Sequence, residues 1–162
     1  MVTPDPTGPG QESVWDYPRP PALAPDAREV VVRWGDIEVA RTNRAVRVLE
    51  TSHPPGWYLP PDDVRLDLLE PGTGSSVCEW KGRASYWDLV ADGRRLPGVA
   101  WSYPEPTRRF RSIAGYLAFY PADLDCTVGG VAVAAQEGGF YGGWITPDVV
   151  GPFKGSPGTW GW

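Results

Sequence analysis

Glycine and proline interrupt this chain so often that long helices have little room to form. There are 20 Gly and 19 Pro among 162 residues, and neither residue type favours the interior of a helix. An aromatic fraction of 12%, with nine Trp, argues against disorder, because disordered chains are poor in aromatic residues. Between the breaks, short runs alternate apolar and polar residues with the period of a β-strand. We therefore predict a turn-rich, mainly β fold.

The alternating runs give a specific set of strands. Val30–Trp34 and residues 37–41 flank the turn Gly35-Asp36 and form a hairpin. Carboxylates at the start of residues 62–69 can cap a helix, and Val64, Leu68 and Leu69 share one of its faces. We expect a compact antiparallel two-sheet or partly closed barrel-like domain with this one short helix. The predicted strands are Val30–Trp34, 37–41, Ala45–Leu49, 77–81, 86–90, 99–103 and 117–119.

The two ends of the chain differ in composition from its middle. Residues 1–28 are Pro-rich and are predicted to form an extended arm, and residues 29–137 are predicted to form the mainly β domain. Residues 138–162 combine Gly with bulky aromatics, so we expect this tail to wrap the domain. The aromatic and proline residues of 15–21 either dock on the domain or on a neighbouring subunit, or belong to a flexible tail. Docking through the arm or the tail would allow a homo-oligomer.

Charge and cysteine content exclude several functions. The net charge is −5 and the basic residues are scattered, so the footprint needed for nucleic-acid binding is missing. Cys78, Cys126 and His53 are too few to form a structural zinc site, and we expect no metal and no cofactor. Both thiols should be reduced and unpaired. The first residues lack the apolar core of a signal peptide, and no run is long enough to span a membrane, so we predict a cytoplasmic protein.

The middle of the chain resembles a known family. Several segments of this region match, in order and spacing, the core of the family called DUF427, a domain of unknown function. The resemblance covers roughly residues 30–128, and both ends look like those of some bacterial members. It implies a small, mainly β domain whose shared residues gather at one site. The matching segments are His53-Pro54-Pro55, Asp63-Val64-Arg65, Leu68-Leu69-Glu70, Ser76-Val77-Cys78, Lys81-Gly82, Ala84-Ser85-Tyr86-Trp87, Ala100-Trp101-Ser102-Tyr103-Pro104 and Gly115-Tyr116-Leu117-Ala118-Phe119-Tyr120.

The family is sometimes labelled nucleotidyltransferase-like, and this label can be checked against the residues. A nucleotidyltransferase needs a Gly-Ser turn followed by paired carboxylates that hold magnesium against phosphates. After Gly74-Ser75 this chain offers Asp88 without a second carboxylate at the expected place. The residues therefore do not support that activity.

Aromatic residues with polar atoms are concentrated in the same region. Rings of this kind line pockets for planar or cationic small molecules, and they also form aromatic-rich cores. Our first hypothesis is a binding module with a small-molecule ligand, in which Cys78, Lys81 and His53 supply polar contacts. The candidate ligand-binding residues are Tyr58, Lys81, Tyr86, Trp87, Trp101 and Tyr103.

Two other functions remain open at this point. The protein could be an enzyme of unknown reaction in which Cys78 or Lys81 is the nucleophile and His53 the base. Alternatively, Cys78 is inert, Lys81 lies on the surface and His53 fixes its loop. A third hypothesis is an interaction scaffold that uses the arm and the tail.

The position of Lys81 distinguishes a shared site from a surface side chain. If Lys81 joins the aromatic residues, its ammonium should lie within about 6 Å of one of their rings, the usual limit of a cation–π contact. If it extends along the sheet into water, the rings should lie in separate cores.

Overall fold

Short strands joined by tight turns make up most of the molecule. The computed structural model describes residues 1–162. The strands are β1 Glu12–Ser13, β2 Ala22–Asp26, β3 Val30–Trp34, β4 Ile37–Thr42, β5 Ala45–Leu49, β6 Gly56–Tyr58, β7 Leu69–Cys78, β8 Gly82–Ala91, β9 Arg94–Ser102, β10 Ala118–Phe119, β11 Asp125–Val128, β12 Val131–Ala132, β13 Ala134–Ala135, β14 Trp144–Ile145 and β15 Val149–Val150. The helices are all of the 3-10 type: Val14–Asp16, Pro61–Asp63, Leu66–Leu68, Arg108–Ile113 and Pro121–Asp123.

Three antiparallel sheets carry the fold. The first has the order β12-β11-β3-β4, the second β10-β9-β8-β7 and the third β2-β5-β6. Two short pairs stand apart from these sheets: β1 with β15, which joins the N-terminal and C-terminal segments, and β13 with β14. The sheets are multiple and no closed barrel forms, so the expectation of a compact, mainly β fold is confirmed.

The main core is an apolar cluster of 17 buried residues. It takes Val30 and Val32 from β3 and Phe119 from β10, all fully buried. The Trp57 and Trp144 rings stack with their centroids 6.0 Å apart. Trp144 Nε1 donates a hydrogen bond to the Phe119 carbonyl at 2.8 Å, which fixes the C-terminal segment against the core.

The two ends of the chain pack on each other. Strand β1 pairs in parallel with β15, and Val14, the residue that follows β1, is fully buried. Trp15 Nε1 donates to the Pro152 carbonyl at 2.9 Å, and the Trp15 ring meets the Trp162 ring edge-on at 5.4 Å. Residues 15–21 were expected either to dock on the domain or a neighbouring subunit, or to form a flexible tail. In the structure Trp15 docks on the C-terminal segment of the same chain. Residues 22–26, which the sequence assigned to the arm, form β2 and pair with β5.

Two predicted elements differ from those observed. The helix expected over residues 62–69 is two 3-10 turns, because Val64 between them adopts extended backbone and bridges to Ala40 in β4. The strand expected over 77–81 instead covers Leu69–Cys78, with a change of register between Pro71 and Ser75. None of the helices is long and apolar enough to cross a membrane.

Candidate functional site

One cavity of about 320 Å³ collects most of the predicted site residues. We call it the aromatic cavity. Its wall is formed by strands of the second and third sheets and by the turn between β7 and β8. Residues from the C-terminal part of the chain, from 136 onward, complete the wall. The lining residues are Val48, Glu50, His53, Pro54, Gly56, Tyr58, Ser76, Val77, Cys78, Glu79, Trp80, Lys81, Tyr86, Trp101, Tyr103, Tyr120, Gln136, Phe140, Tyr141, Gly142, Gly143 and Lys154.

Strand alternation explains why the rings meet. Tyr86 in β8 is the register partner of Trp101 in β9, so the two side chains share one face of the second sheet. Tyr58 lies on the opposing strand β6, and its ring centroid is 6.3 Å from those of both Trp101 and Tyr103. Trp101 Nε1 donates a hydrogen bond to the Tyr58 hydroxyl at 3.2 Å.

Trp87 is the one predicted ligand-binding residue that does not line the aromatic cavity. It follows Tyr86 in β8, so its side chain points to the other face of the sheet and packs against the main core. Its indole Nε1 donates to Ser102 Oγ at 3.0 Å.

Lys81 enters the cavity from the turn that joins β7 and β8. Gly82, with a φ of 107°, follows it, and the Lys81 carbonyl accepts a hydrogen bond from the Thr107 amide at 3.0 Å. The side chain is folded inward, so the residue is only 9% exposed. Its Nζ lies 5.7 Å from the centre of the Tyr103 ring, within the expected limit.

The Lys81 ammonium has no anionic partner within the protein. Its Nζ forms no salt bridge, since no Asp or Glu oxygen lies within 4.0 Å. Burial alone would lower its pKa, but the surrounding Tyr58, Cys78 and Glu50 outweigh burial and raise it. Lys81 is therefore a desolvated, charged group at neutral pH.

His53 lies at the edge of the cavity and is neutral near pH 7. Burial lowers its pKa to about 4, with help from the positive charges of Lys154, Lys81 and Arg19. Its Nε2 is 3.7 Å from Glu50 Oε2, but that carboxylate also faces Arg19 at 3.8 Å. Glu50 therefore does not raise the pKa of His53 back to its ordinary value. The imidazole ring packs edge-on against Tyr141 at 4.9 Å.

The two cysteines have different environments, and both are free. Cys78 is half-buried and lines the cavity beside Lys81. Cys126 is buried in the main core, where burial raises its pKa to about 12. Only Cys78 is placed where it could contact a ligand.

Fifteen of the 22 lining residues were not predicted, and six of these come from the C-terminal part of the chain, from Gln136 onward. Lys154 Nζ lies 5.6 Å from the Tyr141 ring centre. Gln136 donates through Nε2 to the Lys154 carbonyl at 2.7 Å and accepts from the Gly143 amide at 3.0 Å. One signal was available in the sequence, because Lys81 and Lys154 are the only lysines of the chain.

Tyr58, Tyr103 and Tyr120 keep their hydroxyl protons at neutral pH. Burial raises the pKa of Tyr58, of Tyr103 and of Tyr120 above the usual value for tyrosine. Tyr86 holds its hydroxyl 2.8 Å from Ser76 Oγ. The site therefore offers neutral hydroxyl groups rather than phenolates.

The residues that the nucleotidyltransferase-like label would need are used structurally. Asp88 accepts hydrogen bonds from Arg95 at 2.7 Å and from the Gly98 amide at 2.8 Å, and lies outside the cavity. No group of three or more His, Cys, Asp or Glu side chains is arranged to hold a metal ion.

A known protein family matches most of the chain. The profile of the family described as "Domain of unknown function (DUF427)" matches residues 22–130. The chain belongs to the DUF427 family. The match begins at β2 and ends at the turn after β11, so it includes Tyr58, Cys78, Lys81, Tyr86, Trp101 and Tyr103 but neither Gln136 nor Lys154. No curated protein matches the chain.

Proposed function

We propose that this protein is a binding module for a small organic molecule, held in the aromatic cavity. The observation that carries the proposal is the buried Lys81 ammonium, which faces a cavity walled by Tyr58, Trp101 and Tyr103 and has no carboxylate partner. Buried charges in proteins are normally paired directly with an opposite charge. A ligand that contacts the ammonium would supply the missing partner.

The size and composition of the cavity support the same conclusion. About 320 Å³ lies at the lower end of the range for small-molecule sites. Half of the 22 lining residues are hydrophobic, and seven others carry a polar or charged side chain: Glu50, His53, Ser76, Glu79, Lys81, Gln136 and Lys154. Such a cavity buries a ring or another flat apolar body, while a small number of polar contacts orient it.

The alternative of an enzyme has less geometric support. The side chain of His53 is held by Glu50 and Tyr141, and it makes no hydrogen bond to Cys78 or Lys81. A base that activates a nucleophile has to be within hydrogen-bond reach of it. The raised pKa of Lys81 also keeps the ammonium protonated, whereas a lysine nucleophile needs the neutral amine.

Ligand-observed NMR with four small probes tests the proposal. The probes are benzoate, phenyl phosphate, benzyl alcohol and benzylamine, each titrated against the wild-type protein. We expect at least one probe to bind, and Ser76→Trp to abolish that binding because the indole fills the cavity from β7. Ser75→Trp is the matched control, since Ser75 is exposed and does not line the cavity.

The outcomes separate binding in the cavity from binding elsewhere. Equal loss of binding in both Trp variants would place the probe outside the cavity and contradict the proposal. Absence of binding by all four probes to the wild-type protein would contradict it as well.

A further inference from the structure

We infer that the ligand of the aromatic cavity is a small organic anion, a carboxylate or a phosphate monoester carried on an apolar body. This inference rests on the proposed function and assigns the chemical class of the ligand. It depends on how the chain distributes its positive charges, on the hydrogen-bond donors in the cavity and on the apolar rim.

Lysine and arginine are used in different places. The chain has 13 Arg and two Lys; both lysines line the aromatic cavity, and none of the arginines does. The arginines instead form salt bridges elsewhere. Arg41, for example, pairs with Glu29 and Glu38 at the surface. A lysine is a compact point charge, which suits a carboxylate or phosphate at the end of a narrow cavity.

The carboxylates of the cavity do not neutralise these lysines. Glu50 helps to raise the pKa of Lys81, but its oxygens lie more than 4.0 Å from Lys81 Nζ, and it also faces Arg19 at 3.8 Å. Glu79 is exposed and forms no salt bridge. Lys154 Nζ donates one hydrogen bond, to the main-chain oxygen of Trp162 at 3.4 Å. The Lys81 ammonium, which has no such acceptor, can therefore take an anionic partner.

Hydroxyl groups beside Lys81 can complete the coordination of an anion. The Tyr58 hydroxyl oxygen already accepts the Trp101 indole proton, so its own proton is available to donate. Burial raises the pKa of Tyr58, which keeps that proton in place at neutral pH. Oxygen atoms of a carboxylate or phosphate accept such donors, and hydrogen bonds to ionised groups are the stronger ones.

The exposed part of the cavity lining includes two large apolar side chains. Val77 is 69% exposed and Phe140 is 59% exposed, and both line the cavity. Exposed apolar residues of this size, next to a charged interior, match a ligand whose acidic group enters first and whose apolar body leans on the rim. An inorganic ion would leave this rim without a contact.

Isothermal titration calorimetry at low salt tests the charge preference directly. Benzoate and phenyl phosphate carry an anionic group, benzyl alcohol is neutral and benzylamine is cationic, on similar aromatic bodies. We expect the better anion to bind at least about tenfold more tightly than benzyl alcohol, since a hydrogen bond to a charged group contributes about 1.5–3 kcal/mol. Benzylamine should be the weakest of the four, and the order of the two anions distinguishes carboxylate from phosphate.

Two substitutions assign the preference to the lysines. Lys81→Gln should reduce anion affinity to about the level of benzyl alcohol, a loss of about tenfold or more. Lys154→Gln should give a smaller loss, because that side chain is less buried. Arg83→Gln removes the same charge from an exposed position on β8 outside the lining and should change nothing.

The results overturn the inference in definite ways. If benzyl alcohol or benzylamine binds the wild-type protein as tightly as both anions, the ligand class is wrong while the proposed function stands. If an anion is preferred but Lys81→Gln and Lys154→Gln both keep the preference, the assigned site is wrong. The ranking in the wild-type protein decides the ligand class even if a variant fails to fold. Failure of all four probes to bind overturns the inference together with the proposed function.

Discussion

The main core and the aromatic cavity are built from the same strands but have opposite properties. Trp57 and Tyr58 are neighbours in β6, yet Trp57 packs into the main core and Tyr58 faces the cavity. In β10, likewise, Phe119 packs into the main core and Ala118 packs on the side of Tyr58 and Trp101. The main core is filled with apolar side chains, whereas the cavity contains tyrosine hydroxyls and an ammonium without an anionic partner.

This difference indicates that the two faces serve separate purposes. A filled apolar face contributes to the free energy of unfolding in proportion to the area it buries. A face that holds a buried ammonium with no carboxylate oxygen within 4.0 Å is typical of a binding site. Substitutions on the two faces should therefore differ in the size of their effect on stability.

Truncation of Phe119 should have the largest effect on stability. The ring is fully buried in the main core, so Phe119→Ala should lower the free energy of unfolding by about 3–5 kcal/mol. Tyr86→Ala on the cavity face should cost less, about 1–2 kcal/mol, because it enlarges an existing cavity instead of opening a new one. Urea denaturation measures both. Equal costs for the two variants would contradict the division into two faces.

Acidification should lower the free energy of unfolding, because His53 at the edge of the cavity has a lowered pKa. Its pKa is about 4 in the folded protein, against about 6.5 in an unfolded chain, so the unfolded state binds more protons between these values. His53 therefore has little effect on the free energy of unfolding above pH 6.5, and it lowers that free energy as the pH falls towards 4. From pH 7 to 4.5 the loss should be about 2–3 kcal/mol.

The variant His53→Gln isolates this contribution. It should lose about 2 kcal/mol less than the wild-type protein between pH 7 and pH 4.5, as measured by urea denaturation at both values. The lowered carboxyl pKa values of Asp26, Asp63 and Asp88 act at more acidic pH and are unchanged in the variant. The same pH dependence in both proteins would show that His53 does not titrate as described.

Gly142 tests the contact between the C-terminal segment and the cavity. A Cβ atom at this position would come within 2.6 Å of Trp101 Cζ3 and closer still to Cη2. Gly142→Ala should therefore displace the segment, lower the free energy of unfolding by about 1–3 kcal/mol and weaken probe binding. Gly161→Ala, where the added methyl group meets nothing within 4 Å, should leave both unchanged. A Gly142→Ala variant as stable as its control would contradict the close packing.

The sequence predicted those parts of the fold that follow from local composition and turn residues. Val30–Trp34 and Ala45–Leu49 were predicted with the observed bounds because both are valine-rich and lie next to turn residues. Most of β7 was missed, since Pro71, Gly72 and Gly74 are poor strand formers and it is the pairing with β8 that holds them extended. Tertiary pairing of Val64 with Ala40 likewise overrode the helical spacing of residues 62–69.

The candidate site was predictable where the residues lie on neighbouring strands. Tyr86, Trp101 and Tyr103 meet because alternation fixes the face that each side chain occupies. Lys154 and Gln136 reach the same cavity through the path of the C-terminal segment, which no local pattern encodes. Trp87 was placed in the ligand-binding set by residue type, and strand alternation puts it on the opposite face.

The most direct test of the account is Lys81→Met, with stability and binding measured on the same protein. Methionine keeps the length of the side chain and removes the charge. Because the raised pKa of Lys81 means that the folded protein favours the ammonium, the free energy of unfolding should fall, by no more than about 1–2 kcal/mol. Binding of the preferred anionic probe should fall by about tenfold or more. A folded variant that binds the probe with unchanged affinity would contradict the central claim that Lys81 is held for a ligand.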